Sequence, residues 1–216
     1  MATTNRIINP APPNLPLGTQ EYERRFQDQY SNVLRLYFNQ LRNSLAELLG
    51  NAGGRYLAFP HGAFSSSVDQ TTTANTATLM TLNTTDFANG VSISSSKIIV
   101  DNAGVYNLQF STQFQNTDNQ IQDISIWLRQ NGTDIPGSTG YVSIPARKSA
   151  SAGEEAHEII GWNYYVSMNA GDYIQIYWSA TLASVTIQAY PTLTGPTRPS
   201  TQSVVATLSF VSALPT

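Results

Sequence analysis

The chain has no cysteine. Thiol catalysis, disulfide bonds and zinc-thiolate sites are thereby excluded. Charge is scarce too: Asp, Glu, Lys and Arg make up 12% of the 216 residues, roughly half the usual share of a soluble domain. The net charge is -3, the isoelectric point about 5.2, and no basic stripe is present, so nucleic acid is not an expected partner. No run of about 18 apolar residues occurs, which removes a transmembrane helix from the expectations. Met1 to Leu15 lack the basic start and apolar stretch of a secretory signal, so the expected exit from the producing cell is lysis or assembly. Histidine occurs only at His61 and His157. His157 sits in the densest charge cluster, Gly153-Glu154-Glu155-Ala156-His157-Glu158. Glu155, His157 and Glu158 lack the spacing of a known metal motif and read as a solvated loop entering a strand. The aspartates are scattered in turn contexts, where backbone hydrogen bonding explains them, and no pair marks a glycosidase. No phosphate-binding, dinucleotide-binding or nucleophile-elbow motif occurs. The expectation is a protein that is not an enzyme and uses no cofactor or metal.

What is present is an ordinary 41% hydrophobic content, with Thr, Ser, Asn and Gln where charges would usually stand. The length accommodates one domain of about 150 residues plus an N-terminal extension. Residues 1–19 carry Pro10, Pro12, Pro13 and Pro16. Proline fixes φ and keeps its predecessor extended, so this segment reads as an arm that anchors on a larger partner.

Residues 20–50 read as the one long helix, roughly 45 Å, with Thr19 as N-cap and Glu21 and Glu23 in the first turn. Leu34, Phe38, Leu41, Leu45 and Leu48 follow one another at spacings of 4, 3, 4 and 3, a heptad stripe. Two partners for that stripe stay open: the chain's own β domain, or copies of itself in a short parallel bundle. Gly50, Asn51, Gly53 and Gly54 end the helix.

From Tyr56 onward β-branched and aromatic residues alternate. Strands are predicted at 56–66, 76–82, 91–100, 104–115, 122–130, 140–144, 158–168, 172–180, 185–189 and 203–211. Asn89-Gly90, Asn131-Gly132 and Asn169-Ala170-Gly171 punctuate them, and residues 191–200 form a loop. Many short strands with regular turns predict a mainly β protein, an antiparallel jelly-roll sandwich over residues 55–214. No fixed-period repeat marks a β-helix or propeller.

Four pieces carry a resemblance. Asn102-Ala103-Gly104-Val105-Tyr106-Asn107-Leu108-Gln109-Phe110-Ser111 resembles the glycine–valine–tyrosine strand of the complement and tumour necrosis factor type jelly roll. Gly62-Ala63-Phe64-Ser65 is similar to that family's first strand, Ile126 to Gly132 to its Asn-Gly hairpin, and Met168 to Ile176 to its Gly-Asp turn and following strand. Asn9-Pro10, Tyr22 and the run Asn32 to Leu41 look like leaders of bacteriophage virion proteins. The resemblance implies a phage structural protein with a homotrimeric jelly-roll head: a capsid decoration or head-fibre protein located in the virion, attached to other virion proteins by its arm and helix. Such a particle protein, assembled in a reducing cytoplasm, needs no disulfides. The alternative is a short tail fibre whose tip recognises a host glycan or protein through loops 115–122, 131–140 and 190–200. Calcium and protein ligands of complement-type members find no matching residues here.

The residues also argue for self-association. Eleven tyrosines, three tryptophans and eight phenylalanines fall partly on strands that place aromatics on both sheet faces. Tyr106, Phe110, Trp162, Tyr164, Tyr173, Tyr177 and Trp178 are the candidates for a trimer interface, because aromatics are enriched in interface cores. A loop covering the outer face is the competing account.

Overall fold

The computed structural model describes residues 10–18, 21–49, 59–149 and 153–214. The chain divides into two compact units, Met1–Ala58 and Phe59–Thr216.

In the first unit, residues 10–18 have no regular secondary structure, in keeping with their prolines. Helix α1 runs over Arg24–Leu49, about 39 Å at 1.5 Å per residue. It starts later than expected: Glu23 supplies the carbonyl that takes the first helical hydrogen bond, from the Gln27 amide at 3.2 Å. Glu21 and Glu23 therefore precede the helix, and its first turn has no acid. The expected cap Thr19 and the glycine-rich break at Gly50, Asn51, Gly53 and Gly54 lie outside the described residues.

The second unit is a mainly β, antiparallel sandwich of the jelly-roll kind. Its strands in chain order are β1 His61–Ser66, β2 Thr78–Leu79, β3 Thr84–Asn89, β4 Val91–Ser94, β5 Lys97–Val100, β6 Gly104–Asn116, β7 Gln122–Gln130, β8 Thr133–Asp134, β9 Gly140–Ile144, β10 Ala156–Met168, β11 Tyr173–Ala180, β12 Val185–Ile187, β13 Leu193–Thr194, β14 Thr197–Arg198 and β15 Val204–Ser212. Sheet 1 has the order β10-β6-β15-β1-β3, with β12 continuing beside β6. Sheet 2 has the order β4-β5-β11-β7-β8, with β2 on β11 and β9 on β7. First and last strands pair, His61 opposite Ser209 through Ser66 opposite Val204, which closes the domain on itself.

The core forms because the strands keep a strict period of two. Along β6, Tyr106, Leu108, Phe110, Thr112 and Phe114 point inward; along β7, Ile124, Ile126 and Leu128 do. They meet Phe64, Ile174, Ile176, Trp178, Val204 and Leu208 between the sheets. Each large apolar side chain buried there stabilises the fold by roughly 1.5–3 kcal/mol.

Several expected boundaries shift. The 91–100 run is a hairpin, β4 and β5, because Ser95 and Ser96 take φ of 50° and 57°, the pair of positive values a tight two-residue turn needs. The strand expected at 76–82 shrinks to Thr78–Leu79, and Thr84–Asn89 is an unforeseen edge strand with every residue exposed. The 191–200 loop contains the small hairpin β13–β14. Of the strand expected at 56–66, residues 56–58 lie outside the described residues. Asn131-Gly132 does turn a hairpin, with Gln130 opposite Thr133.

Candidate functional site

On α1, Leu34 and Leu41 are half-buried, whereas Phe38 is 58% and Leu45 45% exposed. Leu48 belongs to the helix, but its side chain lies outside the described residues. A second row stands beside the stripe, in which Phe26 and Tyr30 stack at 6.1 Å and Tyr37 packs on Phe38 at 5.6 Å. Pro12 is exposed, Pro10 and Pro13 half-buried, and Leu17 is 93% exposed.

The aromatic candidates on the strands separate into three groups. Tyr106, Phe110 and Trp178 are corrected: they are core residues and have no surface to offer a neighbour. Their positions are in phase with Leu108, Phe114 and Ile176, so the pleat turns them inward. The Tyr106 hydroxyl donates to the Asn102 carbonyl at 2.7 Å, and burial, then Asp101, hold its pKa above the usual value. Trp162 and Tyr164 line the inner face of β10 as partly buried packing. Trp162 meets Phe110 edge-on at 4.7 Å and lies over Gly140, where any Cβ would push the indole away.

Tyr173 and Tyr177 form the third group, half-buried on the outer face of sheet 2. Tyr177 stacks on Trp127 at 6.0 Å, and the Arg129 guanidinium lies 4.0 Å from its ring centre. Asp134 ties this ladder down, accepting from Arg129 at 2.7 and 3.2 Å and from the Trp127 indole at 2.8 Å. These bonds, the Arg129 one foremost, lower the Asp134 pKa. Lys97 sits 4.2 Å from the Tyr173 ring. The rings thus spend their faces on one another and on cations from their own sheet.

The outer face of sheet 1 differs. Cross-strand partners share a face, and three successive rungs span all five strands. One runs Gly161, Ser111, Val205, Ser65, Thr84; the next Asn163, Gln109, Thr207, Ala63, Phe87; the third Tyr165, Asn107, Ser209, His61, Asn89. None of these residues is an acid, a lysine or an arginine. Phe87 and Tyr165 are 60% and 59% exposed, and Ile159, one rung beyond, 65%. One carboxylate reaches this face: Asp86, at the β3 bulge, accepts from Ser65 Oγ at 3.2 Å. Near the centre, Gln109, Ser111, Val205 and Thr207 line a shallow depression of about 260 Å³. The sequence reading missed Phe87, Ile159 and Tyr165. Following the alternation out of phase from Trp162 and Tyr164 leads directly to Tyr165 and Ile159.

The loops expected to act together lie at two ends of the sandwich. Sheet 1 has an entry end, at His61, Gly104, Met168 and Ser212, and a far end, at Ser66, Asn116, Ala156 and Val204. Loops 115–122 and 190–200 belong to the far end. Loop 131–140 starts at the entry end, where Asn131 donates to Asp172 at 2.7 Å, and returns to mid-strand at Gly140 opposite Ile126. Among the described residues no three His, Asp or Glu side chains converge on a point that would hold a metal ion. His157 faces Tyr190 instead, Nδ1 to hydroxyl at 3.0 Å. No helix of the described residues is long and apolar enough to cross a membrane.

No protein-family description matches the chain, and no curated protein matches it.

Proposed function

We propose that the protein is a non-enzymatic structural component of a virion surface, a homotrimer whose β-sandwich heads associate through sheet 1 and whose helices associate along the Leu34–Phe38–Leu41–Leu45–Leu48 stripe. The Pro-rich arm and the helix hold it to other virion proteins. The observation that carries the self-association is the outer face of sheet 1, whose three rungs hold no charged side chain and which the Asp86 carboxylate reaches only at the β1–β3 edge. The three rungs hold no acid, lysine or arginine; Ala63 and Ser65 in them are buried, and Phe87 and Tyr165 stand in solvent. Burying the part of the face away from Asp86 desolvates no ion, and its apolar side chains gain from leaving water. A second copy is the partner chosen because the heptad stripe on the same chain also asks for identical partners. The virion setting and the count of three rest on the resemblance to phage structural proteins with trimeric heads.

Sedimentation equilibrium of the full chain tests the association. The expected mass is three times the 23.5 kDa of one chain, about 70 kDa. Replacing Thr207 by Arg, at the centre of the sheet face, together with Leu45→Asp on the helix, is expected to give single subunits that keep their far-ultraviolet spectrum. A wild-type chain that sediments as one subunit at micromolar concentration rules the reading out. Gold-labelled antibody against the head, applied to purified particles, tests the location; unlabelled particles rule it out.

A further inference from the structure

Two depressions lie side by side at the far end of sheet 1. One, of about 480 Å³, is lined by Asp69 among others; the second, of about 290 Å³, by His157 and Arg198. Tyr190, Pro191 and Thr201 line both. Together they match the volume range of small-ligand sites. The walls are built by non-local contacts. Gln70 bridges to Ile187, Tyr190 exchanges two backbone hydrogen bonds with Thr201 at 3.0 and 2.8 Å, and Asp69 accepts from the Ala189 amide at 2.9 Å.

The chemistry of the two halves differs. The shared wall offers a tyrosine ring and a proline, flat apolar surfaces of the kind that pack on the C–H face of a sugar, beside the hydroxyl of Thr201. On one side stands the Asp69 carboxylate, held by the Ala189 amide and by the Gln188 side-chain amide at 3.1 and 3.2 Å, with lone pairs left to accept from sugar hydroxyls. On the other stands Arg198, which is absent from both ion pairs found among the described residues, Arg24–Asp28 and Arg129–Asp134. A guanidinium with its donors unspent takes a carboxylate in a bidentate grip. Tyr190 keeps its phenolic proton as a hydrogen-bonding group, its pKa raised by burial first and then by Glu155 and Asp69.

We propose that this double groove binds an acidic glycan. A carboxylated sugar ring lies on the Arg198 side with its carboxylate on the guanidinium, and the adjoining neutral ring lies on the Asp69 side. The site is complete within one chain and does not depend on the trimer.

The test uses the full-length protein on a panel of uronic-acid and sialic-acid glycans, each with its carboxyl-reduced neutral counterpart, followed by calorimetric titration of the best binder. The acidic form is expected to bind at least about tenfold more tightly than the neutral one. Arg198→Gln, a change at an exposed position, is expected to erase that preference, and Tyr190→Ala to weaken both forms by about tenfold or more. Glu155→Gln, which removes a negative charge near Tyr190, is expected to strengthen binding of the acidic form. Absence of any acid-over-neutral preference across the panel overturns the proposal, as does an Arg198→Gln protein that retains the preference. Should Tyr190→Ala fail to fold, the Arg198 comparison decides alone. Sedimentation of the same samples reports separately on the oligomer.

Discussion

Asp172 follows the turn where β10 hands the chain to β11, and its carboxylate takes three donors: the Asn169 amide at 2.7 Å, Asn131 Nδ2 at 2.7 Å and Gln130 Nε2 at 3.3 Å. The backbone bond from Asn169 is the largest reason its pKa falls below the usual value. A carboxylate with a lower pKa in the folded state than in the unfolded chain stabilises the fold at neutral pH. That contribution is lost as pH drops through the folded value, from about 4 downward. Asp172→Asn is therefore expected to melt a few degrees lower than wild type at pH 7, with the gap closing near pH 2. Thermal melts of both proteins across that range check it. Gly161 makes a different demand. A Cβ there would run into the Phe110 carbonyl oxygen and sit 3.2 Å from the Ser111 Cα, both on the neighbouring strand. Backbone cannot step aside as a side-chain tip can, so Gly161→Ala is expected to cost about 1–3 kcal/mol in urea denaturation.

The β4–β5 hairpin turns on two serines in a conformation that favours Asn and Gly. Ser96 also serves the core, its Oγ accepting from the amide of buried Leu82 at 3.0 Å. Ser95→Asn is therefore expected to be neutral or slightly stabilising, and Ser96→Gly to cost about 1–3 kcal/mol by leaving that amide unpaired, both read by urea denaturation. The same hairpin explains an error of sequence reading. Without Asn-Gly at the turn, 91–100 looks like one β-branched run, and only the φ values reveal the reversal. Strands fully out of step with any apolar pattern, such as Thr84–Asn89, hide for the opposite reason: an edge strand in solvent needs no alternation. The long strands were legible because burial enforces period two on them, and β7 and β9 match their expected limits. The ranking of aromatics was less legible. Counting them does not tell which phase of the pleat faces the core, and Tyr106, Phe110 and Trp178 proved to be in phase with their leucine and isoleucine neighbours. The far-end groove lay further out of reach, since Asp69 and Ala189 meet across 120 positions of sequence.

Between the two units the sequence marks a division, and the contacts follow it, with the sandwich beginning at Phe59. Phe59 itself stacks on Phe210 at 6.4 Å, and the Phe210 amide donates to the Pro60 carbonyl at 2.9 Å, so the head carries its own entry clamp. A chain starting at residue 59 is expected to melt within a few degrees of the full protein, by circular dichroism, while losing the helix contribution to self-association. A fragment that fails to fold would mean that the sandwich leans on the preceding segment.

The first strand of the head, β1, is held on one side by β15 and on the other by β3, and it runs from the entry end toward the far end. Suppose the leader is fixed and the far-end groove is gripped by something outside. Tension then travels along β1, perpendicular to its rows of backbone hydrogen bonds. Such loading shears many bonds at once instead of peeling them singly, so the tether point is the place where this domain best resists being pulled apart.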